Sequence, residues 1–405
     1  MIENRFTEND YSLWNECAFE ISEQELEEEL ALFRNRLRRR KSRRSTIMIA
    51  AAVAVVAAKE FDIWDGTTAT NFAGGTGTKE DPYLISNGAE LHKMAMDGPA
   101  TTKGKYYKIT ADIYLNDVSK SDWKANAKPW SSKAFQGHLD GDGHVIYGVH
   151  NVNTATNGFS AFLVNSYLSA DNDLVSIKNL GIENSYFQGD RVAAFLGKTD
   201  GAGTDANFTM ENCYAGDSVE VVGKWSGGLI AYSNKNNITI NNCYFTGSLS
   251  SSATQKGGLI AFTAYADADA AKTVQISNSY AATAGNDPVF SDESNTQYIN
   301  YTNVYGTAGG HAEATGITVL TKEQMTGLNA VENMSGLDFM QVWNVVAGGT
   351  PSLVKPGEKA IYGRFVNIRI DLLADAEDGD NINADESFDI RDLVFAMDRM
   401  TTVQN

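Results

Sequence analysis

A chain of 405 residues with 42% hydrophobic content, 36 glycines and 6 prolines is too long for one ordinary domain unless its architecture is elongated. Its formal net charge of −18 excludes nucleic acid and anionic membrane as natural partners of the folded surface, leaving neutral polysaccharides, cations or basic proteins. Three cysteines (Cys17, Cys213, Cys243) are too few for a disulfide framework.

Near the start, Ser22-Glu23-Gln24-Glu25 reads as a capping box, with Ile21 and Leu26 as its hydrophobic staple. Leu26, Leu30, Phe33 and Leu37 share one helical face, which predicts a helix from about Ser22 to Lys41. The basic run RNRLRRRKSRR (34–44) is followed by the apolar run TIMIAAAVAVVAA (46–58), the order of a membrane-targeting segment. As a helix the apolar run spans roughly 20 Å, short of the ~30 Å hydrocarbon core. It fits a signal-peptide h-region, with Val56-Ala57-Ala58 as small residues for cleavage before Lys59. A leading segment of over forty residues is long for a signal peptide, so a short signal anchor that leaves residues 1–44 in the cytoplasm stays open. A buried alanine-rich core helix ranks last, because the basic run abuts it. Either favoured reading exports residues 60–405 to the cell surface or beyond, with membrane contact only through residues 46–58. The organisation is then 1–44 as a basic helical segment, 45–58 as the targeting segment, 59–355 as the repeated body and 356–405 as a separate module.

In KEDPYLISNGAELHKMA (79–95), Pro82 and Tyr83 begin a strand and Asn87 caps a short helix running through Met94. KYYKITADIYL (105–115) is an alternating strand. His138-Leu-Asp140-Gly-Asp142-Gly-His144 is the strongest candidate in the body for a metal or ligand site, although Asp-Gly-Asp-Gly is also how a tight turn is built.

Further along, a short phrase recurs. ENSYF (183–187) precedes VAAFLG, ENCYAG (211–216) precedes GGLIAY, NNCYFTG (241–247) precedes GGLIAF, and SNSYAA (277–282) closes the series. Strand-like runs recurring at an irregular period near thirty indicate stacked windings of a parallel β-helix rather than a β-sandwich. Ile238 and Ile240 alternate with polar residues, and GGLIA suits a corner followed by a buried strand. Stacking would place Asn184, Asn212, Asn242 and Asn278 in one ladder of amides, with Ser185, Cys213, Cys243 and Ser279 beside it. The recurring Tyr186, Tyr214, Tyr244 and Tyr280 suggest a ring column, and exposed rings such as Trp123, Trp130 and Trp225 could stack on sugar faces. Thr321-Lys322-Glu323-Gln324 reads as a capping box opening a second short helix, and VWNVVAGGTPSLV (342–354) as a hairpin. Both ends thus differ from the repeat, as a solenoid needs to cover its open edges.

These segments, with FQGHLDGDGHVIYGV (135–149), resemble the GLUG-motif surface proteins of bacteria over about residues 62–354. The resemblance implies a secreted or surface-displayed right-handed β-helix, often adhesin-like, and no defined reaction. It places 138–144 at an ordinary corner. A lyase or hydrolase of this architecture needs clustered carboxylates, or calcium beside a basic residue. Residues 60–360 hold a single arginine, Arg191, and no winding repeats a carboxylate pair. The expectation is a non-catalytic protein binding polysaccharide, a host or cell-surface glycan, or another protein. A polysaccharide-degrading enzyme and a structural spacer are the alternatives.

Past Pro356, Asn381, Asn383, Asp385, Ser387, Asp389 and Asp392 occupy positions 1, 3, 5, 7, 9 and 12 of a calcium loop. Ile390, Leu393, Val394 and Met397 give the following helix an apolar face. The segment resembles one degenerate repeat of a dockerin, which implies bound Ca2+ and a cohesin-like partner. Neutral Asn381 and Asn383, and Glu386 at the glycine position, weaken such a site.

Overall fold

The computed structural model describes residues 61–401 except 169, 172, 201–205, 235, 251, 254, 265–272, 286, 292–297, 308–315, 374–381 and 384–389. The helix expected over Ser22–Lys41 and the apolar run 46–58 lie outside the described residues. Asp62–Asn405 form one compact unit.

Three walls of parallel strands wind about one core. The first wall stacks Tyr83–Ile85, Tyr106–Ile109, His138–Tyr147, Leu174–Glu183, Asn207–Glu211, Asn237–Asn241, Val274–Ala281, Ile299–Thr307 and Ile317–Leu320. The second carries His150–Asn153, Tyr186–Ala193, Glu220–Gly227, Ser248–Leu249 and Gln255–Gly257. The third carries Ala134–Phe135, Asn165–Tyr167, Leu196–Asp200, Ile230–Ser233 and Ile260–Thr263. This is a parallel β-solenoid.

Alternation decides which side chains enter the core. Val175, Phe208, Ile238 and Val274 share one inward column, and Ile177, Met210, Ile240 and Ile276 the next, all buried. The GGLIA words lie directly over one another: Ile230 pairs with Ile260, and Leu229 N donates to Leu259 O at 3.1 Å. Gly228 marks the corner because a Cβ there would stand 1.9 Å from the Gly258 carbonyl oxygen.

The asparagine ladder follows register, not the echoed word. Asn212 Nδ2 donates to Asn179 Oδ1 and Asn242 Nδ2 to Asn212 Oδ1, both at 3.0 Å. Asn303 Nδ2 donates to Asn278 Oδ1 at 2.9 Å, while Asn278 Nδ2 donates to Asn241 Oδ1 at 2.9 Å. Asn179, Asn212, Asn242, Asn278 and Asn303 all have φ between 47° and 53°, the left-handed corner conformation that asparagine tolerates. Asn184, expected in this column, stands at the next corner of its winding, where its N–H donates to Ser218 Oγ at 2.7 Å. Ser185 is displaced with it and accepts from Val149 N. Cys213 and Cys243 are buried free thiols. Cys243 N donates to Ser279 Oγ at 3.0 Å, and burial pushes the Cys213 thiol up.

Non-repeating elements sit at both ends of the solenoid. Helix α1 (Gly88–Asp97) is capped by Asn87, whose side chain accepts from Glu90 N, and α2 (Pro99–Thr102) follows. At the far end Thr321 and Gln324 make the reciprocal capping-box bonds at 2.9 and 3.3 Å, yet they close a turn; helix α3 (Leu328–Asn333) begins four residues beyond Gln324. Trp343–Asn344 pairs antiparallel with Ser352–Leu353, giving the expected hairpin. Helices α4 (Ile361–Leu373) and α5 (Ile390–Thr401) complete the chain and share a hydrophobic cluster with that hairpin.

The hairpin covers a column of rings. Tyr214 stacks on Tyr244 at 4.8 Å and Tyr244 on Tyr280 at 5.0 Å, with Trp343 against the last two. The Tyr280 hydroxyl hydrogen-bonds the Pro351 carbonyl and Thr350 Oγ1. Tyr186 is not in this column: Gly181 occupies its slot, and Tyr186 stacks on His150 in the second wall.

Leu259→Ala should lower unfolding free energy by about 2–5 kcal/mol, since a buried column loses a member. Asn242→Gly keeps the left-handed corner and loses the amide bonds; Asn242→Ala loses both. Denaturant unfolding should rank Ala below Gly by about 1 kcal/mol, and equal or reversed stabilities would contradict the left-handed corner at Asn242.

Candidate functional site

The stretch His138 to His144 lies on a first-wall strand that shifts register between Asp140 and His144. Its four side chains take separate partners. The His138 ring stacks on Tyr106 at 4.3 Å, its Nδ1 is 2.9 Å from Ser176 Oγ, and burial lowers its pKa. Asp140 Oδ1 accepts from Asp142 N at 2.9 Å and Asn179 Nδ2 at 3.0 Å, while Oδ2 pairs with Lys178 at 3.0 Å. Burial would raise the Asp140 pKa; the Asn179 and Asp142 hydrogen bonds and Lys178 outweigh it and hold the carboxyl below its ordinary value. Asp142 pairs with Lys108 at 2.9 Å, and His144 Nδ1 is 3.2 Å from Asp112 Oδ1. Among the described residues no group of three or more His, Cys, Asp or Glu side chains converges as a metal site. Asp140 accepts from Asn179 at the start of the asparagine ladder, and Asp142, at φ 50°, is the first non-glycine residue in the left-handed conformation.

The second wall offers a different arrangement. Two rows of large side chains run along the solenoid, separated by a groove. The first row sets His150, Tyr186 and Glu220 in register, with Trp123 edge-on to His150 at 6.2 Å. Lys124 pairs with Glu220 and lies 5.3 Å from the Tyr186 ring centre. The second row sets Phe159, Arg191, Trp225 and Gln255 in register. Across the GGLIA corner, Lys198, Tyr232 and Phe262 line up on the third wall. Trp225 stacks on Phe262 at 4.6 Å, and Tyr232 on Phe262 at 5.5 Å. The Arg191 guanidinium lies 4.5 Å from the Trp225 ring centre and 5.2 Å from those of Tyr232 and Phe159, while its Nη2 donates to Asn157 Oδ1 at 3.1 Å. This is a cation–π stack.

Between the rows lies an open groove of about 410 Å³, lined by Thr154, Thr156, Gln188, Asp190, Lys224, Ser250 and Ser252, with Gly189 and Gly223 in register between them. The lining carries hydroxyls, an amide, one carboxylate and one ammonium; Asp190 Oδ2 accepts from Asn157 N at 2.7 Å, Gln188 Oε1 accepts from the Tyr186 hydroxyl at 3.1 Å, and the Ser250 and Ser252 hydroxyls lie 3.1 Å apart. Sugar-face stacking on Trp225 is not what the rings offer: Arg191 covers one face and Phe262 the other. The row is a wall of stacked side chains. Trp130 is core, buried and stacked on Phe162.

Sequence reasoning singled out Arg191 only as a lone arginine and missed the groove. The available signal was the frame around the echoed word: Trp225 and Tyr232 flank the first GGLIA, and Phe262 follows the second.

In the tail, Asp392 is buried at the start of α5, and Asn383 N donates to its Oδ1 at 3.1 Å. That bond joins the residues at positions 3 and 12 of the calcium-loop pattern. Asn381, Asp385, Ser387 and Asp389 lie outside the described residues.

No protein-family model matches the chain. Over 176 residues, 41% of the chain, it is 30% identical to Halomucin of Haloquadratum walsbyi, of which the match covers 2%. Over 133 residues, 32% of the chain, it is 30% identical to a protein of Evansella cellulosilytica named "Putative Gly-rich membrane protein", of which the match covers 14%. The chain therefore spans a small part of the curated relatives it matches. A solved structure from Bacteroides ovatus, described as a "putative immunoglobulin A1 protease", aligns with 70% of this chain and 95% of that one, at 18% identity and a TM-score of 0.43. Among the described residues no helix is long and apolar enough to cross a membrane.

Arg191→Ala should uncover one face of Trp225, shift tryptophan emission to longer wavelength and cost about 1 kcal/mol of stability. The same change made in a Trp225→Phe background should leave emission where it was. A shift that survives in that background would contradict the stack.

Proposed function

We propose that this chain is a non-catalytic surface or secreted binding protein of the GLUG type, whose solenoid presents the second-wall groove to a glycan. The observation that carries the reading is the groove itself: a lining rich in hydroxyl, amide and charged groups, held open between two rows of stacked side chains. Carboxylates that could have served catalysis are engaged otherwise. Asp140 and Asp142 each pair with a lysine of a neighbouring winding, tying windings together. The basic-then-apolar order of 34–58 supports export, and partial likeness to Halomucin and to a protein named for the membrane is in keeping with it.

The test is binding of the full chain to a glycan array, with reducing-end release measured in parallel. Binding without cleavage is expected, and Gln188→Ala with Lys224→Ala should weaken it about tenfold, the size of one or two lost hydrogen bonds. Cleavage abolished by Asp140→Ala or Asp142→Ala would establish an enzyme instead. No binding to any glycan would leave a structural spacer.

The C-terminal segment serves, on this reading, as a calcium-dependent attachment module, with Asn381, Asn383, Asp385, Ser387, Asp389 and Asp392 as the cation's ligands. Calcium would supply only folding free energy and a fixed loop geometry there. Calorimetry of the full chain with calcium should show one weak site that Asp392→Ala removes. Absence of heat at millimolar calcium would remove the metal from the proposal.

A further inference from the structure

Residues 117–127 make a loop tied down at two places. At its base, buried Asn116 accepts from Lys128 N at 2.7 Å and donates through Nδ2 to the Lys128 and Gly148 carbonyls, so one side chain clasps both ends. On its far side the short 3-10 turn Trp123–Asn126 meets the first row of the second wall. Trp123 stands edge-on to His150, while Lys124 lies 5.3 Å from the Tyr186 ring centre and pairs with Glu220, two windings beyond His150. Among the described residues, the other hydrogen bonds and ion pairs of 119–127 run within 117–127: Ser119 and Lys120 to Asp117, Trp123 to Lys120, Ala125 and Asn126 to Asp122. A loop closed at its base and held across a surface by two consecutive side chains is a strap.

The strap meets a histidine with an unusual ring nitrogen. His150 Nδ1 is buried and has no hydrogen-bond partner among the described residues. The charged and titratable groups set against this ring are Lys124 from the strap, Tyr186 from the next winding and Glu220 from the one after. Trp123, and Trp130 whose N–H donates to the His150 carbonyl, add only neutral rings. A proton on Nδ1 is then a charge with no acceptor, beside an ammonium. Burial first, and Lys124 second, hold the imidazole below its ordinary pKa. The hold of the strap is slight, because a half-exposed ion pair is weak in water and screened by salt. The ring contact adds a little, and the partnerless nitrogen opposes both.

We infer that residues 117–127 are a pH-operated strap, shut over His150, Tyr186 and Glu220 while His150 is neutral and lifted when His150 takes a proton. Lifting removes the ammonium from the Tyr186 ring, whose hydroxyl donates to Gln188 in the groove lining, and lets water reach His150 Nδ1. The shut form binds that proton less tightly than the lifted form. Closure is therefore complete above the ordinary imidazole pKa of about 6.5 and is lost as the pH falls below it, by up to about tenfold per pH unit. The device needs no glycan, so it stands or falls apart from the binding reading.

The experiment is acrylamide quenching of Trp123 fluorescence in the full chain, taken as the difference from Trp123→Phe, with far-ultraviolet dichroism recorded alongside. Quenching should rise at least about twofold between about pH 7.5 and about pH 5, with the dichroism unchanged. Glu220→Gln, which removes the ion pair, should give raised quenching at both pH values. His150→Gln, which cannot take the proton, should keep the low value at both. A pH step that persists in His150→Gln, or no step in the unaltered chain, would overturn the switch. Unchanged quenching in Glu220→Gln would overturn the ion pair as what holds the strap down. A step accompanied by lost dichroism would belong to unfolding of the solenoid and would overturn the proposal too.

Discussion

Backbone ladders between successive windings are the constraint on which everything else rests. One winding has a single inward face and nothing of its own to bury it against; only the next winding closes the core. Each inward Leu, Ile or Phe then contributes about 1.5–3 kcal/mol of burial, and columns such as Ile177, Met210, Ile240 and Ile276 collect that gain across the molecule. The constraint is on register rather than length. Corner asparagines fall at 179, 212, 242, 278 and 303, unequal intervals that the ladder accepts because extra residues sit between walls.

Register also divides labour among the charged residues. On the first wall, Lys178 with Asp140 and Lys108 with Asp142 join adjacent windings, and Asp140 doubles as an acceptor for the asparagine ladder. Asp140, half-buried and held by Asn179, Lys178 and the Asp142 N–H, thus joins its winding to the next. On the second wall Asp190 accepts from Asn157 N of the preceding winding at 2.7 Å. There Arg191 organises aromatic rings instead of a carboxylate, and its delocalised planar charge suits that position better than a lysine would.

Much of the solenoid was legible in the chain. GGLIA recurs because the corner tolerates no side chain at Gly228 and the wall beyond needs buried Leu229 and Ile230. Asn87 and the 342–354 hairpin could be read for equally local reasons. Asn184 could not be placed, because IKNLGIENSYF carries asparagine at two left-handed corners, Asn179 and Asn184, five residues apart. The ENSY word matches its neighbours in letters, yet KNLG matches them in space, with Gly181 where other windings carry tyrosine. Thr321 and Gln324 made their capping bonds without a helix, since the box satisfies backbone donors in a turn as well. The groove stayed hidden for a different reason. Outward residues of successive windings share a position and no identity, so the register column of Val152, Gln188 and Val222 leaves no echo.

The most direct measurement of the central claim is disulfide trapping between outward positions of adjacent windings. Thr209 and Thr239 are register partners on the first wall, and parallel neighbours about 4.8 Å apart are within the Cα range for a disulfide. A Thr209→Cys, Thr239→Cys chain should cross-link rapidly under mild oxidation, while Thr209→Cys with Asn241→Cys, two residues out of register, should not. Preferential cross-linking of the shifted pair, or of neither, would mean that the windings do not lie on one another as described, and the ladder, the rows and the groove between them would have no basis.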